Sequence, residues 1–389
     1  IYTRNTQFFR EGSNDIRRIV NTIKKRVELR VDPSLLLDAE TAEEQIRSIV
    51  PKEADIGDIW FDEKRSIIII EAMKPGVVIG KNGETIRKIR EDTLWVPKVQ
   101  RSPAIKSDLV RNIRKTLYTH SDYRRKFLHN IGERIYSGWE RNNKYWIRLS
   151  CLGGFREVGR SCLFLQTPES KVMLDCGVNV ASKLYAYPYL EAPEFNIKDL
   201  DAVIISHAHL DHGGFLPYLY KYGYKGPTYC TEPTRDVMTL LHLDYIDVAQ
   251  KEGSKGIYDS RDVKKWIKHS VCLDYGEVTD VTPDVRLTLH NAGHVLGSSA
   301  IHLNIGDGYH NILDTGDHKF SRTKLLEPIE SQFTRVETLI TESTYGARDD
   351  IQPTREECEE QLLSIISDTT KMGGKTLIPV LGVGRAQED

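Results

Sequence analysis

The spacing of apolar residues changes character along the chain, and the change divides it. In residues 15–26, Ile16, Ile19, Val20 and Ile23 fall on one helical face. Residues 27–31 alternate as a strand that Asp32-Pro33 ends. Residues 42–50 predict a second amphipathic helix, and Pro51 marks a boundary after it. Residues 56–61 and 66–72 predict paired strands about the turn Asp62-Glu63-Lys64. A turn of helix at Val77-Val78-Ile79, the loop Gly80-Lys81-Asn82-Gly83, a helix over 85–91 and a strand over 95–100 follow. Residues 104–144 are helical and aromatic-studded, a bridging segment. From Tyr145 short apolar strands dominate: 146–151, 161–166, 171–174, 202–205, 285–289, 299–305, 311–313 and 337–340, with a long helix over 234–250. Strands mixed with amphipathic helices predict sheets with helices packed outside. A helix over 355–370 and a strand over 375–379 begin a further unit that has no closing element before Asp389.

Composition narrows the class. A chain of 389 residues holds several domains, and 39% hydrophobic against 28% charged residues excludes global disorder. The longest aliphatic run, Ile67-Ile68-Ile69-Ile70, is far short of the ~20 residues a membrane span needs. The N-terminus has no apolar signal core and no initiator Met, so the chain is expected to begin inside a longer protein. None of the six cysteines forms a C-x-x-C pair, which excludes a cysteine zinc ribbon. Reduced, intracellular thiols are the expectation.

The net charge of −2 conceals an asymmetry. Residues 1–144 carry 29 Lys/Arg against 21 Asp/Glu, and the remainder 25 against 35. The basic excess lies in 98–144, with 12 basic against 4 acidic residues, which suits a polyanion partner. Its aromatics Tyr118, Tyr123, Phe127, Tyr136 and Trp139, with Trp146 just beyond it, could stack bases. Packing of helix on sheet is the favoured reading for most of them.

The densest chemistry is Ser206-His207-Ala208-His209-Leu210-Asp211-His212-Gly213-Gly214, directly after the strand 202–205. Loops at the C-terminal ends of strands carry function in open sheets, and imidazole with carboxylate suits zinc or another borderline divalent ion. His207 and His209, two apart, can face one metal; Asp211 and His212 turn toward a second. His294, in the Gly-flanked loop after the strand 285–289, supplies a third imidazole and leaves an open position for water. Asp317, after the strand 311–313, could bridge two metals. Asp175 ends another strand and could orient the loop without touching a metal.

On these motifs the chain resembles the metallo-β-lactamase-fold hydrolases. Through Glu342-Ser343-Thr344-Tyr345-Gly346 it resembles, more narrowly, the β-CASP nucleases. Gly80-Lys81-Asn82-Gly83, between two helical segments, stands where a KH domain places its G-x-x-G loop. Glycines there admit the sugar-phosphate chain, and the following helix N-terminus favours its charge. Together these halves resemble the archaeal cleavage-and-polyadenylation-specificity-factor homologues, which carry tandem KH domains ahead of the nuclease.

The resemblance implies an α+β multi-domain chain. Residues 1–50 would be a first KH-like domain without G-x-x-G, with Glu11-Gly12-Ser13-Asn14 at the corresponding turn. Residues 51–144 would be a second KH domain plus the basic helices, and 145–348 a metallo-β-lactamase αββα sandwich. Residues 349–389 would start a β-CASP domain that is cut short. By the family pattern His207, His209 and His294 bind one zinc, Asp211 and His212 the other, and Asp317 bridges. Asp175, Asp211 and Glu342 would serve catalysis, Glu342 by positioning the residue that protonates the leaving oxygen. His318 stands where the family has Phe and is expected at the surface; Asp314 replaces a Tyr. Two further histidines of the family lie beyond this sequence, so the second zinc site is expected to be incomplete here.

The implied function is a zinc-dependent endoribonuclease cleaving single-stranded RNA by metal-activated hydroxide, in RNA 3′-end processing or transcription termination. A 5′→3′ exonuclease activity also occurs among relatives, and this fragment by itself could be inactive. Gly80, Lys81, Asn82 and Gly83 would hold the RNA. RNA polymerase or elongation factors, a homodimer of the full-length protein, no membrane and a cytoplasmic location complete the expectation. A non-catalytic RNA-binding scaffold and a small-molecule metallohydrolase are the alternatives.

Overall fold

The structure is a computed structural model that describes residues 1–11, 13–23, 27–137, 145–182 and 184–388. The chain forms two compact units, Ile1–Arg125 and Lys126–Asp389. Gly12 and Trp139, both singled out by sequence, lie outside the described residues.

The first unit opens with β1 (Tyr2–Thr3), α1 (Thr6–Glu11), α2 (Ser13–Ile23) and β2 (Arg30–Val31). β1 and β2 pair in parallel over a small core of Phe9, Leu29 and Val31. Of the strand expected over 27–31, only Arg30–Val31 is paired. Then come α3 (Ala39–Ile49), β3 (Ile56–Asp62), β4 (Ile67–Ala72), α4 (Pro75–Ile79), α5 (Glu84–Thr93), β5 (Val96–Arg101), α6 (Asp108–Thr119) and α7 (Ser121–Tyr136), the last crossing into the second unit. β4 is central, antiparallel to β3 and parallel to β5.

Alternation along β4 sends Ile68, Ile70 and Ala72 into a core with Ala42, Ile46 and Val50 of α3, Val78, Ile89 and Trp95. Trp95 Nε1 donates to Leu37 O at 2.8 Å. This corrects the expected boundary at residues 50/51: α3 is part of the sheet's core, and a cut at Pro51 would strip one wall from it. The opposite face, carrying Asp58, Trp60, Glu71 and Gln100, is closed by α6. Arg111 pairs with Asp58 at 2.8 Å and Arg114 with Glu71 at 3.1 Å, while Tyr118 packs on Trp60 and bonds Gln100. The front of the supposed bridging segment is therefore a cover for this sheet, and two of its arginines are spent on the sheet's acids. Tyr123, Tyr136 and Trp146 are exposed.

The second unit is a two-sheet sandwich. One sheet runs β11-β10-β9-β8-β7-β6, built from β6 (Arg148–Gly153), β7 (Cys162–Gln166), β8 (Lys171–Leu174), β9 (Ala202–Ile204), β10 (Thr228–Cys230) and β11 (Ser270–Cys272). β8 to β11 are parallel neighbours; β6, β7 and β8 are antiparallel. The other runs β12 (Thr279–Thr282), β13 (Val285–Asn291), β14 (Ser299–Ile305), β15 (His310–Asp314) and β16 (Thr338–Ile340) in order. Leu163, Leu165, Val172, Leu174, Ala202 and Ile204 meet Val285, Leu287, Leu289, Ile301, Leu303 and Ile305 between them. The helices are α8 (Leu210–Gly213), α9 (Leu216–Lys221), α10 (Glu232–Lys251), α11 (Ser260–His269) and α12 (Arg355–Lys371). α9, α10 and α11 pack together beside the first sheet.

Residues 375–379, expected as a strand, join no sheet ladder, so that expectation is corrected. α12 starts at a capping box on Thr354 but buries none of its side chains.

Candidate metal centre

Four strand ends of the second unit deliver the site. β8 ends at Leu174, and Asp175 follows with φ +55°. Its buried carboxylate accepts Ser206 N at 2.7 Å, Ser206 Oγ at 2.8 Å and His212 Nδ1 at 2.6 Å. β9 releases the loop that carries His207 and His209 into the single turn α8. Ser206 O is tied to β14 by Ser299 N at 2.8 Å and Ser299 Oγ at 2.9 Å. The carbonyls of Leu210, Asp211 and His212 accept N–H bonds from Val178, Ser161 and Cys176. A Cβ at Gly177 would collide with the Asp211 carbonyl, so only glycine allows this backbone approach. β13 leads to the His294 loop, closed by His294 N on Ser298 Oγ and by Thr231 and Thr234 hydroxyls on Gly297 O. β15 leads to Asp317 through Gly316, whose φ is +50° and whose N–H bonds Asp314.

The donor atoms converge. His207 Nε2 and His294 Nε2 each lie 3.2 Å from His209 Nδ1, and His294 Nε2 lies 3.5 Å from Asp317 Oδ2. One atom from each of His207, His209, His294 and Asp317 falls within a mutual 4.8 Å. Tetrahedral zinc with arms of 2.0–2.1 Å has edges of about 3.3 Å, so three of these separations match a shared ion. His209 Nε2 donates to Val383 O at 3.3 Å, which leaves Nδ1 as the bare lone pair facing the group. Beside it, His212 Nε2 lies 3.3 Å from Asp317 Oδ1 and 3.9 Å from Asp211 Oδ2. Asp317 thus faces both groups, one through each oxygen.

The electrostatics fit a cation. Burial, then the neighbouring imidazoles, pushes His207 well below the usual histidine range. Burial also lowers His294 to about 4. These rings stay neutral at pH 7, as ligands must. Burial raises Asp317, but His212 and the other imidazoles outweigh it and hold the carboxyl at about 2. Burial opposes charge on His212 as well, yet Asp175 and Asp317 raise it well above its ordinary value. Its Nε2, set against two carboxylates, calls for a proton or a metal ion. Bringing two imidazole nitrogens onto one lone pair is costly in isolation and is repaid by a cation among them.

Glu342 stands apart from the four donors, its Oε1 accepting His318 N at 3.0 Å. His318 itself corrects an expectation. Its side chain is 10% exposed, with Nδ1 3.7 Å from Glu342 and the ring edge-on to Phe320, so it is an inner residue rather than a surface one. Motif reading also passed over Val383 and His242. The latter is buried on α10 and donates Nε2 to Gly213 O at 3.0 Å, beneath α8. A lone histidine on a helix gives no sequence signal for that role.

In the first unit Gly80, Asn82 and Gly83 take φ of +75°, +55° and +74°, and α5 begins at Glu84. Lys81 and Asn82 are exposed at this turn. Two left-handed glycines and a helix start give the loop expected from its sequence.

The metallo-β-lactamase superfamily model matches residues 156–371, more than half of the chain, and the chain belongs to that superfamily. A KH domain model matches 43–94, and one described as the KH domain of transcription termination factor FttA matches 1–36. KH domains therefore precede the metallo-β-lactamase fold, and the gap between the two matches agrees with α3 belonging to the second. The transcription termination factor FttA of Methanothermobacter thermautotrophicus is 55% identical over 100% of this chain and 61% of its own length. That of Methanocaldococcus jannaschii is 52% identical over the same shares, and that of a Lokiarchaeum species 48% identical over 97% and 59%. The chain thus spans about three-fifths of these relatives. Among solved structures, the metallo-β-lactamase fold protein YhfI from Bacillus subtilis aligns over 46% of this chain and 65% of its own, at 21% identity and a TM-score of 0.29.

Proposed function

We propose that this chain is the greater part of a zinc-dependent ribonuclease that cuts single-stranded RNA during transcription termination. The observation that carries the reading is Asp317 facing two adjacent donor groups, one through each carboxylate oxygen. His207, His209, His294 and Asp317 would hold one zinc; Asp211, His212 and Asp317 would hold a second. The second group counts three donors among the described residues, one short of closed tetrahedral coordination. Bound zinc supplies a nucleophile by bringing the pKa of water toward roughly 7, and polarises a phosphoryl oxygen.

The chain's own residues do the rest. Asp175 holds His212 Nδ1, so that Nε2 faces the carboxylates. The Val383 carbonyl fixes the His209 ring in the same way. Glu342, engaged with His318 N–H, is assigned to positioning the group that protonates the leaving oxygen. Gly80, Lys81, Asn82 and Gly83 would grip about four unpaired nucleotides, which disfavours duplex. The name of the relatives supports a role in transcription termination; on this reading the cut falls beside a transcribing polymerase in the cytoplasm, and the full-length protein is a homodimer. No helix among the described residues is long and apolar enough to cross a membrane.

The test is full-length protein with end-labelled single-stranded U-rich RNA, with and without chelator, beside His209→Ala. Internal cuts abolished by chelator and by the substitution are expected. Cuts that survive both would overturn the metal assignment. Tight RNA binding without cuts would turn the reading toward an RNA-binding scaffold.

A further inference from the structure

Away from the metal centre, two cysteines end neighbouring strands. β10 and β11 pair in parallel, and the register sets Cys230 beside Cys272. Adjacent strands run ~4.8 Å apart, within the ~4.4–6.8 Å Cα separation that a disulfide spans. Cys230 is fully buried and Cys272 reaches the surface in part. Arg235, 5% exposed on the first turn of α10, donates Nη1 to Cys272 Sγ at 3.4 Å. Glu232 and Asp236 hold the same guanidinium at 2.9 and 2.7 Å. A cation held in place at the sulfur of a residue that is only in part covered is the environment of a reactive thiol. Cys162 and Cys176 also neighbour each other, but both are buried.

We propose that Cys272 and Cys230 are a dithiol oxidised by hydroperoxides to an intramolecular disulfide, with Cys272 attacking and Cys230 resolving. The Cys272 thiolate attacks the terminal peroxide oxygen; an S–O bond forms, the O–O bond breaks, and the departing alkoxide takes a proton to become the alcohol. Cys230 sulfur then attacks the sulfenic sulfur, the S–S bond forms, and hydroxide leaves with the Cys230 proton as water. Each sulfur gives up one electron and the peroxide gains two. The hydrogen bond from Cys230 lowers the Cys272 thiol; burial opposes it, Arg235 lowers it further, and Glu232 and Asp236 oppose more weakly. That division matches an attacking and a resolving sulfur, since the same bond raises Cys230.

The experiment exposes full-length, metal-loaded protein to a small excess of hydrogen peroxide, blocks remaining thiols and maps cysteine peptides by mass spectrometry. Cys230–Cys272 is expected as the first product, forming at least tenfold faster than oxidation of Cys151 or Cys358, the two exposed thiols. Cys230→Ser is expected to leave Cys272 as a sulfenic acid that dimedone traps. Arg235→Gln is expected to slow the reaction of Cys272. If that variant does not fold, the comparison within the unaltered protein decides. Oxidation of Cys151 or Cys358 while Cys230 and Cys272 stay reduced would overturn the proposal. So would a Cys272 bridge to any other cysteine.

Discussion

His242 illustrates how one side chain can matter without belonging to a motif. It is fully buried, and burial lowers it to about 4 although its Nε2 bonds Gly213 O. The unfolded chain, with an ordinary value near 6.5, therefore binds the extra proton between pH 6.5 and 4. Stability from this residue is complete above pH 6.5 and is lost as pH falls through 4, a change on the order of 3 kcal/mol. Glutamine can keep the donor to Gly213 O without titrating. Urea unfolding of His242→Gln at pH 7 and 4.5 is expected to show a smaller loss of stability than the parent. An equal loss would place the acid sensitivity elsewhere. Asp175 makes the corresponding case beside the metal. Asp175→Asn keeps the shape but weakens the anchor of His212 Nδ1, and is expected to reduce zinc affinity by about 10–100-fold in chelator competition. Unchanged affinity would remove Asp175 from the site's design. Asp175, Asp211, Asp317 and the four histidines of the centre were legible in the sequence, because each follows a strand. His242 and Val383 were not, because their partners are set only by packing.

At the scale of elements, α3 was read correctly as an amphipathic helix but given to the first KH-like segment instead of the sheet that follows it. Periodicity tells which face of a helix is buried, not what covers it. Ile46 is fully buried against β4, and Ile46→Ala is expected to cost about 2–5 kcal/mol. A fragment starting at Pro51 lacks Ala42, Ile46 and Val50, and is expected to show no cooperative thermal transition by circular dichroism, whereas residues 1–125 are expected to show one. Cooperative melting of the shorter fragment would refute the role given to α3. The G-x-x-G turn was legible to the residue, since glycine spacing states where φ must be positive. Lys81→Ala is expected to weaken single-stranded RNA binding and to reduce the slope of log affinity against log salt by about 0.7. An unchanged slope would mean that Lys81 touches no phosphate. Among the short strands, β10, β11 and β12 escaped sequence reading, because Thr228-Tyr229-Cys230, Ser270-Val271-Cys272 and Thr279-Asp280-Val281-Thr282 lack the continuous apolar run that marks β9.

For the whole molecule, composition and local pattern determined much. The glycine loop, the hydrophobic strands and the H-x-H-x-D-H loop marked a KH-bearing part and a metal-bearing part, although the two compact units divide at Arg125/Lys126 and not at Tyr145. They did so because strand alternation, glycine turns and ligand type are properties of consecutive residues. Only the tertiary structure decided which distant residues share a space. The metal centre joins residues from 175 to 317 because β8, β9, β13 and β15 end along one edge of the sandwich. Cys230 and Cys272 meet because β10 and β11 are registered in parallel. His318 turned inward because Glu342, at the end of β16, draws its backbone N–H. Sequence spacing fixes contacts within a turn of helix or along a strand. Pairing across a sheet depends on register and chain crossover, which no local window contains.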